Sequence, residues 1–222
     1  MSKLPKVIYI MGSPGAGKGT QAEMLAKKIG YKQFSTGNAF REVAAKNSDL
    51  GRRVKETIDN GYLASPEMAA EIVMTAVKKH LEKGEGLVFD GTPRTVPEAK
   101  IVDEFFVTNN YGEPLPIYLK VDKEEMERRN SKRVFCLNAK GGDFPVFTKD
   151  DKAKCEEEGG HEGRRPDDDP EKFVTRWDEF QKQTYPVIEG YRQGDILREV
   201  DGMLSIGEVH EEVIRVVYSF ER

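Results

Sequence analysis

The chain has 222 residues, 37% hydrophobic and 33% charged, with a formal net charge of −4 at pH 7. That balance suits a folded globular protein with a sizeable core, and no basic face stands out that would call for a nucleic-acid partner. No apolar run is long enough to span a membrane. The N-terminus MSKLPKVIYIMGSPG carries too short an apolar stretch for a signal peptide, so a cytoplasmic protein is expected. Cys136 and Cys155, the two cysteines, do not make a disulfide framework.

In chain order, residues 7–11 (VIYIM) read as a buried parallel strand ended by glycine. Ala22, Leu25, Ala26 and Ile29 then recur at helical spacing, up to Gly30. Ser65 and Pro66 form an N-cap and N1 pair for a helix over 65–81, with Ala69, Ile72, Val73, Ala76 and Val77 inward. Further strands are expected over 87–90, 117–121 and 196–200, and helices over 99–106, 123–133, 171–191 and 205–218. Strands alternating with helices predict an α/β fold, a parallel sheet covered by helices on both faces. Two segments resist this scheme. Residues 37–64 are helical without a strand, and 135–169 are glycine-rich, charged and too long for an ordinary connection, as lids are.

GSPGAGKGTQ follows the first strand and precedes the first helix. Gly12, Gly15 and Gly17 let successive backbone N–H groups turn around phosphate oxygens. The helix start adds its positive end, and Lys18 supplies a cation for the outer phosphates. The general phosphate-loop pattern wants a hydroxyl directly after the lysine to hold Mg²⁺. Here Gly19 stands there and Thr20 comes one residue late. The metal must then be held by phosphates, water or another residue. Asp90, at the end of GLVFD, is the obvious carboxylate, reaching Mg²⁺ through water.

GSPGAGKGTQ resembles the nucleoside monophosphate kinases, and most closely the adenylate kinases in their long-lid form. FSTGNAFRE, FDGTPRTVPEA, RNSKRVFC, GRRPDDD and REVDG follow in the family's order, so the resemblance covers essentially the whole chain. It implies one nucleotide-kinase domain: a core (1–34, 65–134 and 170–222), a helical monophosphate-binding arm (35–64) and a lid (135–169). It also implies reversible phosphoryl transfer from Mg·ATP to a nucleoside monophosphate, AMP before others, maintaining adenine nucleotide balance. The ATP site would comprise Gly15, Ala16, Gly17, Lys18, Gly19, Thr20, Arg129, Arg133 and the Leu204 backbone. The monophosphate site would comprise Thr36, Gly37, Arg41, Leu63, Ala64, Gly91, Arg94, Glu98, Arg165 and Arg176. Lys18, Arg94, Arg129, Arg133, Arg165 and Arg176 would carry the chemistry by neutralising charge. Asp167 and Asp168 match lid-base carboxylates, and Thr92-Pro93 aligns with a peptide that is usually cis. Arg129 and Arg133 share a helix face in this reading, with Arg128 and Lys132 as an alternative pair. A monomer binding only small nucleotides is expected.

Three departures from the family pattern bear on function. Asn38 replaces an aspartate near the metal's water shell, and Thr92 a phenylalanine beside the acceptor base. Glu98 replaces the glutamine whose amide reads adenine. An ionised carboxylate can only accept hydrogen bonds, which suits guanine's N–H groups better. GMP or a broader acceptor range therefore stays open beside AMP, and so does a nucleotide-binding ATPase or sensor. In the lid, the places of the family's four zinc ligands read Cys136, Ala139, Cys155 and Glu158. A closed zinc site needs four ligands, so free or lid-packing cysteines are favoured over zinc, with His161 or a water as the only substitute.

Overall fold

Five parallel strands, β1 (Val7–Met11), β2 (Lys32–Ser35), β3 (Leu87–Asp90), β4 (Leu115–Lys120) and β8 (Arg198–Asp201), form one sheet in the order β2-β3-β1-β4-β8. They belong to a computed structural model that describes residues 4–60, 62–137, 143–165 and 169–220, without the side chains of Leu50, Ala76, Lys79, Leu81, Pro170 and Glu171. Strand β1 is central and buried along its whole length, which is why VIYIM shows no polar alternation. Its side chains divide between two cores. Ile8 and Ile10 pack with Leu25, Leu119 and Val213 on one face. Val7, Tyr9 and Met11 pack with Val73, Phe89, Phe106 and Ile188 on the other. Within that second core, Tyr9 and Tyr191 both donate to the Asp103 carboxylate, each at 2.8 Å. Burial raises the Tyr9 and Asp103 pKa values above their ordinary range.

The helices α1 (Lys18–Ile29), α4 (Pro66–Glu82), α5 (Val96–Thr108), α6 (Lys123–Ser131), α8 (Pro170–Glu179), α9 (Tyr185–Gln193) and α10 (Ile206–Tyr218) carry the rest of this framework. Ser65 accepts from the Met68 N–H, as its cap position predicts. Ala69, Ile72, Val73 and Val77 turn inward on α4, and the Ala76 side chain lies outside the described residues. Three sequence expectations are corrected. Strand β2 was hidden because KQFS, a sheet-edge strand, has only one large apolar residue. The expected 171–191 helix is interrupted by a π turn, Phe180–Thr184. Helix α6 stops at Ser131, where Lys132 caps it, so Arg133 leaves the helix face of Arg129 and starts the climb into the lid.

Helices α2 (Thr36–Ala44) and α3 (Asp49–Asp59) build the segment without a core strand. They close on a small cluster of Phe40, Val54 and Ala69. The described residues of 135–169, the expected lid, hold more regular structure than their composition suggests. Strands β5 (Phe135–Leu137), β6 (Phe144–Pro145) and β7 (His161–Gly163) form a separate antiparallel sheet in the order β6-β5-β7. Helix α7 (Lys149–Glu157) lies beside it, opened by a Thr148–Asp151 capping box.

The cysteines are the main correction. Cys136 of β5 and Cys155 of α7 are joined as a disulfide, not left as free thiols. Two cysteines cannot staple a whole fold, but one bridge suits a lid whose core is little more than these residues, Phe144 and Val146. As disulfide sulfurs they are not available as zinc thiolates. Ala139, the third position of that pattern, lies outside the described residues. Among the described residues, no helix is long and apolar enough to cross a membrane.

Candidate active site

The carboxyl ends of β1, β2, β3 and β8 all open on one side of the sheet, the usual site of ligands in open α/β folds. A cleft of about 890 Å³ lies there, walled by the core, the arm and the lid. At its base, the glycine loop after β1 leads directly into α1, with Gly17 in the left-handed region (φ 90°) at the helix N-cap. Lys18 folds back and donates to the Ser13 carbonyl at 2.9 Å. Burial pushes its pKa down to about 7; Asp90 opposes the shift, while Arg94, Arg176 and Arg133 deepen it. Such a lysine is poised to take up full charge when phosphates enter.

Gly19 lies close under Asp90: a Cβ there would stand 3.1 Å from Asp90 Oδ2, so a serine or threonine would crowd the carboxylate. Ser35 also donates to Asp90 Oδ2, at 3.2 Å. Among the described residues, no three His, Cys, Asp or Glu side chains gather as a metal site. One carboxylate with a neighbouring hydroxyl fits a magnesium ion that arrives on a nucleotide and keeps most of its ligands as phosphate and water.

The other end of the cleft is built from side chains. Gly91 has φ 84°, and a Cβ there would come within 2.7 Å of Arg94 Nη2. Only glycine leaves room for the guanidinium to fold back, where Arg94 Nε donates to the Gly91 carbonyl at 2.7 Å. Thr184 donates to the Arg94 carbonyl (2.9 Å), holding the same residue from the π turn. The Thr92-Pro93 peptide is cis, as the resemblance implies. Glu98 is only 2% exposed. Its Oε2 accepts the Arg94 N–H at 2.9 Å, and Oε1 is buried without a donor in bonding geometry among the described residues. Burial raises its pKa to about 6, against the Arg94 N–H and charge, the Thr95 N–H and the Thr92 hydroxyl. Thr36 and Thr92 share a hydroxyl–hydroxyl contact in the same wall.

The donor-side arginines separate into roles. Arg129 donates to the Gly202 carbonyl at 2.9 Å and to Glu125 at 2.7 Å, beside Leu204 at the cleft's end. Arg128 is held in a fork on Glu125 and, with Lys132, also lines the cleft, so that pair stays open beside Arg129 and Arg133. Arg133 stacks over Phe135 with 4.5 Å to the ring centroid, and Arg165 lies over the same ring at 3.5 Å. Arg176 of α8 also lines the cleft.

Asn38 does more than replace an acid. Its Oδ1 accepts from Arg41 Nη2 at 2.7 Å and from Arg165 Nη2 at 3.4 Å, so one amide oxygen links arm and lid. Every residue expected in the ATP and monophosphate sites lines this cleft, Leu63 and Ala64 included. Glu158 also lines it, whereas Cys136 and Cys155 lie buried in the lid. Asp167 and Asp168 fall outside the described residues. Sequence reasoning missed Asp143, which sits between Arg41 and Arg165. Nothing in AKGGDFP distinguishes it from a solvated loop acid.

The adenylate kinase family profile matches residues 10–196. The chain belongs to the adenylate kinase family. Proteins named adenylate kinase resemble it over nearly their whole length. That of Thermosipho africanus is 37% identical over 214 residues, 95% of this chain and 98% of the relative. That of Archaeoglobus fulgidus is 35% identical over 211 residues, 93% and 95% of the two chains. That of Elusimicrobium minutum is 35% identical over 215 residues, 95% and 98%.

Proposed function

We propose that the chain is a phosphotransferase that reversibly moves the γ-phosphoryl group of Mg·ATP to AMP, giving two ADP. The observation that carries this is the single cleft holding both a phosphate loop and a second arginine cluster. Lys18, Arg129 and Arg133 hold the donor phosphates, with the loop from Gly15 to Thr20 around them and the Leu204 backbone at the base. Arg41 and Arg94 grip the acceptor phosphate, while Thr36, Gly37, Leu63, Ala64, Gly91 and Glu98 surround its nucleoside. Arg165 and Arg176 belong to the acceptor phosphate too, and also reach the group in transit. No covalent intermediate is needed: catalysis is positioning and charge neutralisation in a site that excludes water. Magnesium travels with ATP and supplies further neutralisation, with Asp90 as its protein-side carboxylate through water.

In this reading, 35–64 act as the monophosphate arm and 135–169 as the lid, closing on the core made of 1–34, 65–134 and 170–222. A monomer is the assembly expected in this reading. The cytoplasm is the compartment this reading assigns; the lid bridge is buried, its cysteines being 0% and 2% exposed.

Glu98 supports a second acceptor, GMP. An ionised carboxylate accepts from guanine's N1–H and amino group, whereas adenine needs a donor at its N1. A product assay with ATP against AMP, GMP, CMP and UMP in parallel tests both readings. ADP formed from AMP supports the first, GDP from GMP alone the second. Phosphate release with no acceptor phosphorylated would leave an ATPase.

A further inference from the structure

Asp143 stands directly before β6, yet its carboxylate lies between an arginine of α2 and one that follows β7. Oδ2 stands 3.9 Å from Arg41 Nε and 3.6 Å from Arg165 Nε. Arg165 Nη2 also donates to the Asp143 carbonyl at 3.3 Å. The arginine side chains are well covered, Arg165 retaining 9% exposure and Arg41 27%, while Asp143 retains 20%. One oxygen thus sits between two guanidinium groups brought from different segments, joined on their far side by Asn38 Oδ1. Two guanidinium groups converging on one anionic oxygen describe a phosphate cradle.

The distances separate occupancy from a permanent lock. Arg41 Nε lies within Coulomb range of the carboxylate but beyond hydrogen-bond length, and among the described residues it is a buried donor with no acceptor in bonding geometry. A phosphate, with three oxygens and more charge, makes shorter charge-assisted bonds to the same forks.

We propose that Asp143 is a built-in stand-in for the acceptor's phosphate, occupying the Arg41–Arg165 cradle in the nucleotide-free enzyme and leaving it when a nucleoside monophosphate enters. This rests on the acceptor reading of the cleft given above. The carboxylate keeps two cations from repelling each other in the empty site, and the incoming phosphate must displace it. Its presence weakens monophosphate binding and leaves the ATP loop untouched.

The test compares the unsubstituted chain with Asp143→Asn and Asp143→Glu. AMP, ATP and inorganic phosphate are each titrated by calorimetry, and KM for AMP is measured at saturating ATP. Asp143→Asn is expected to tighten AMP and phosphate roughly fivefold, the size of one partly exposed ion pair, with KM for AMP falling in step and ATP affinity unchanged. Asp143→Glu restores the weaker binding. Unchanged affinities in Asp143→Asn overturn the proposal. So does weaker AMP binding, which would make Asp143 a latch that helps closure. Should the unsubstituted chain neither bind nor phosphorylate AMP, the acceptor reading fails. The phosphate titration then still decides Asp143: tighter phosphate in Asp143→Asn supports it, and no change sinks it.

Discussion

The two ends of the cleft are made differently. The end that the proposed function gives to ATP starts from backbone, a glycine loop and the first turn of α1 between Gly12 and Thr20, and adds Lys18, Arg129 and Arg133 to it. The acceptor end is almost all side chain, and its members come from the arm, the β3–α5 turn, the π turn and the lid. A backbone site is fixed once its strand and helix form. A side-chain site depends on several elements keeping their mutual distances, and is where a chain can vary its chemistry.

The sharpest break in this comparison comes from removing one cation at each end. Lys18→Ala and Arg94→Ala should each lower kcat by roughly 10³-fold, about 4 kcal/mol, because each removes charge stabilisation from the transferring group. Both should keep their fold, since Arg94 is tied to Thr184 and Glu98 through its backbone. A coupled assay with a thermal melt checks both points, and near-normal turnover in either variant would remove that end from the mechanism.

Next in size is the lid. Opening the Cys136–Cys155 bridge frees a loop with 19 residues of separation. The chain-entropy account puts this at about 3 kcal/mol of local stability. Hydrogen exchange with and without a dithiol reductant should show faster exchange in β5 and α7, with the central sheet unaffected. Equal loss in both regions would mean that lid and core unfold as one unit.

Smaller, but more telling about the acceptor end, is Glu98. A carboxyl buried to a pKa of about 6 is neutral below that pH and can then donate to adenine N1 while its carbonyl accepts from the N6 amine. As pH rises through 6 the donor is lost, so KM for AMP should climb roughly tenfold toward pH 8, about one hydrogen bond's worth. The raised pKa carries a stability sign too: ionising Glu98 costs the folded state, so stability falls as pH rises from the unfolded value of 4.5 through 6. Glu98→Gln should flatten the AMP profile and leave ATP affinity alone. A flat profile in the unsubstituted protein would show that Glu98 does not read the base.

Lys18 gives the donor end a pH signature of its own. With its pKa near 7 in the empty site, ATP binding above that pH should take up a proton as the phosphates restore the ammonium. Calorimetry in buffers of different ionisation enthalpy reads the uptake directly. No buffer dependence would mean Lys18 is already charged.

The same contrast explains how far the sequence could be read. The loop, α1 and β3 were legible because hydrophobic period, glycine and lysine lie within a few residues of each other. Arm and lid positions were legible only through the family's motifs, which mark where side chains go but not what holds them. Asn38 looked like a lost acid and turns out to hold Arg41 and Arg165. The cysteines looked isolated because 19 residues of separation say nothing about a strand folding back on a helix. Arg133 was placed on a helix that ends two residues earlier, since nothing in NSKRVF marks the point where helix gives way to strand.

The wide turn at Phe180–Thr184 holds about one residue more than an α-helix would need there. Deleting any one of the exposed Gln181, Lys182 or Gln183 would let α8 and α9 fuse into a single regular rod. That rod would be locally simpler and globally wrong. Each residue turns a helix by about 100°, and α8 is anchored through Phe173 in one core while α9 is anchored through Ile188 in the other. Arg176 and Thr184 could no longer both meet the cleft. The extra residue works as a phase shifter, so in this stretch the number of residues matters more than the identity of the exposed ones.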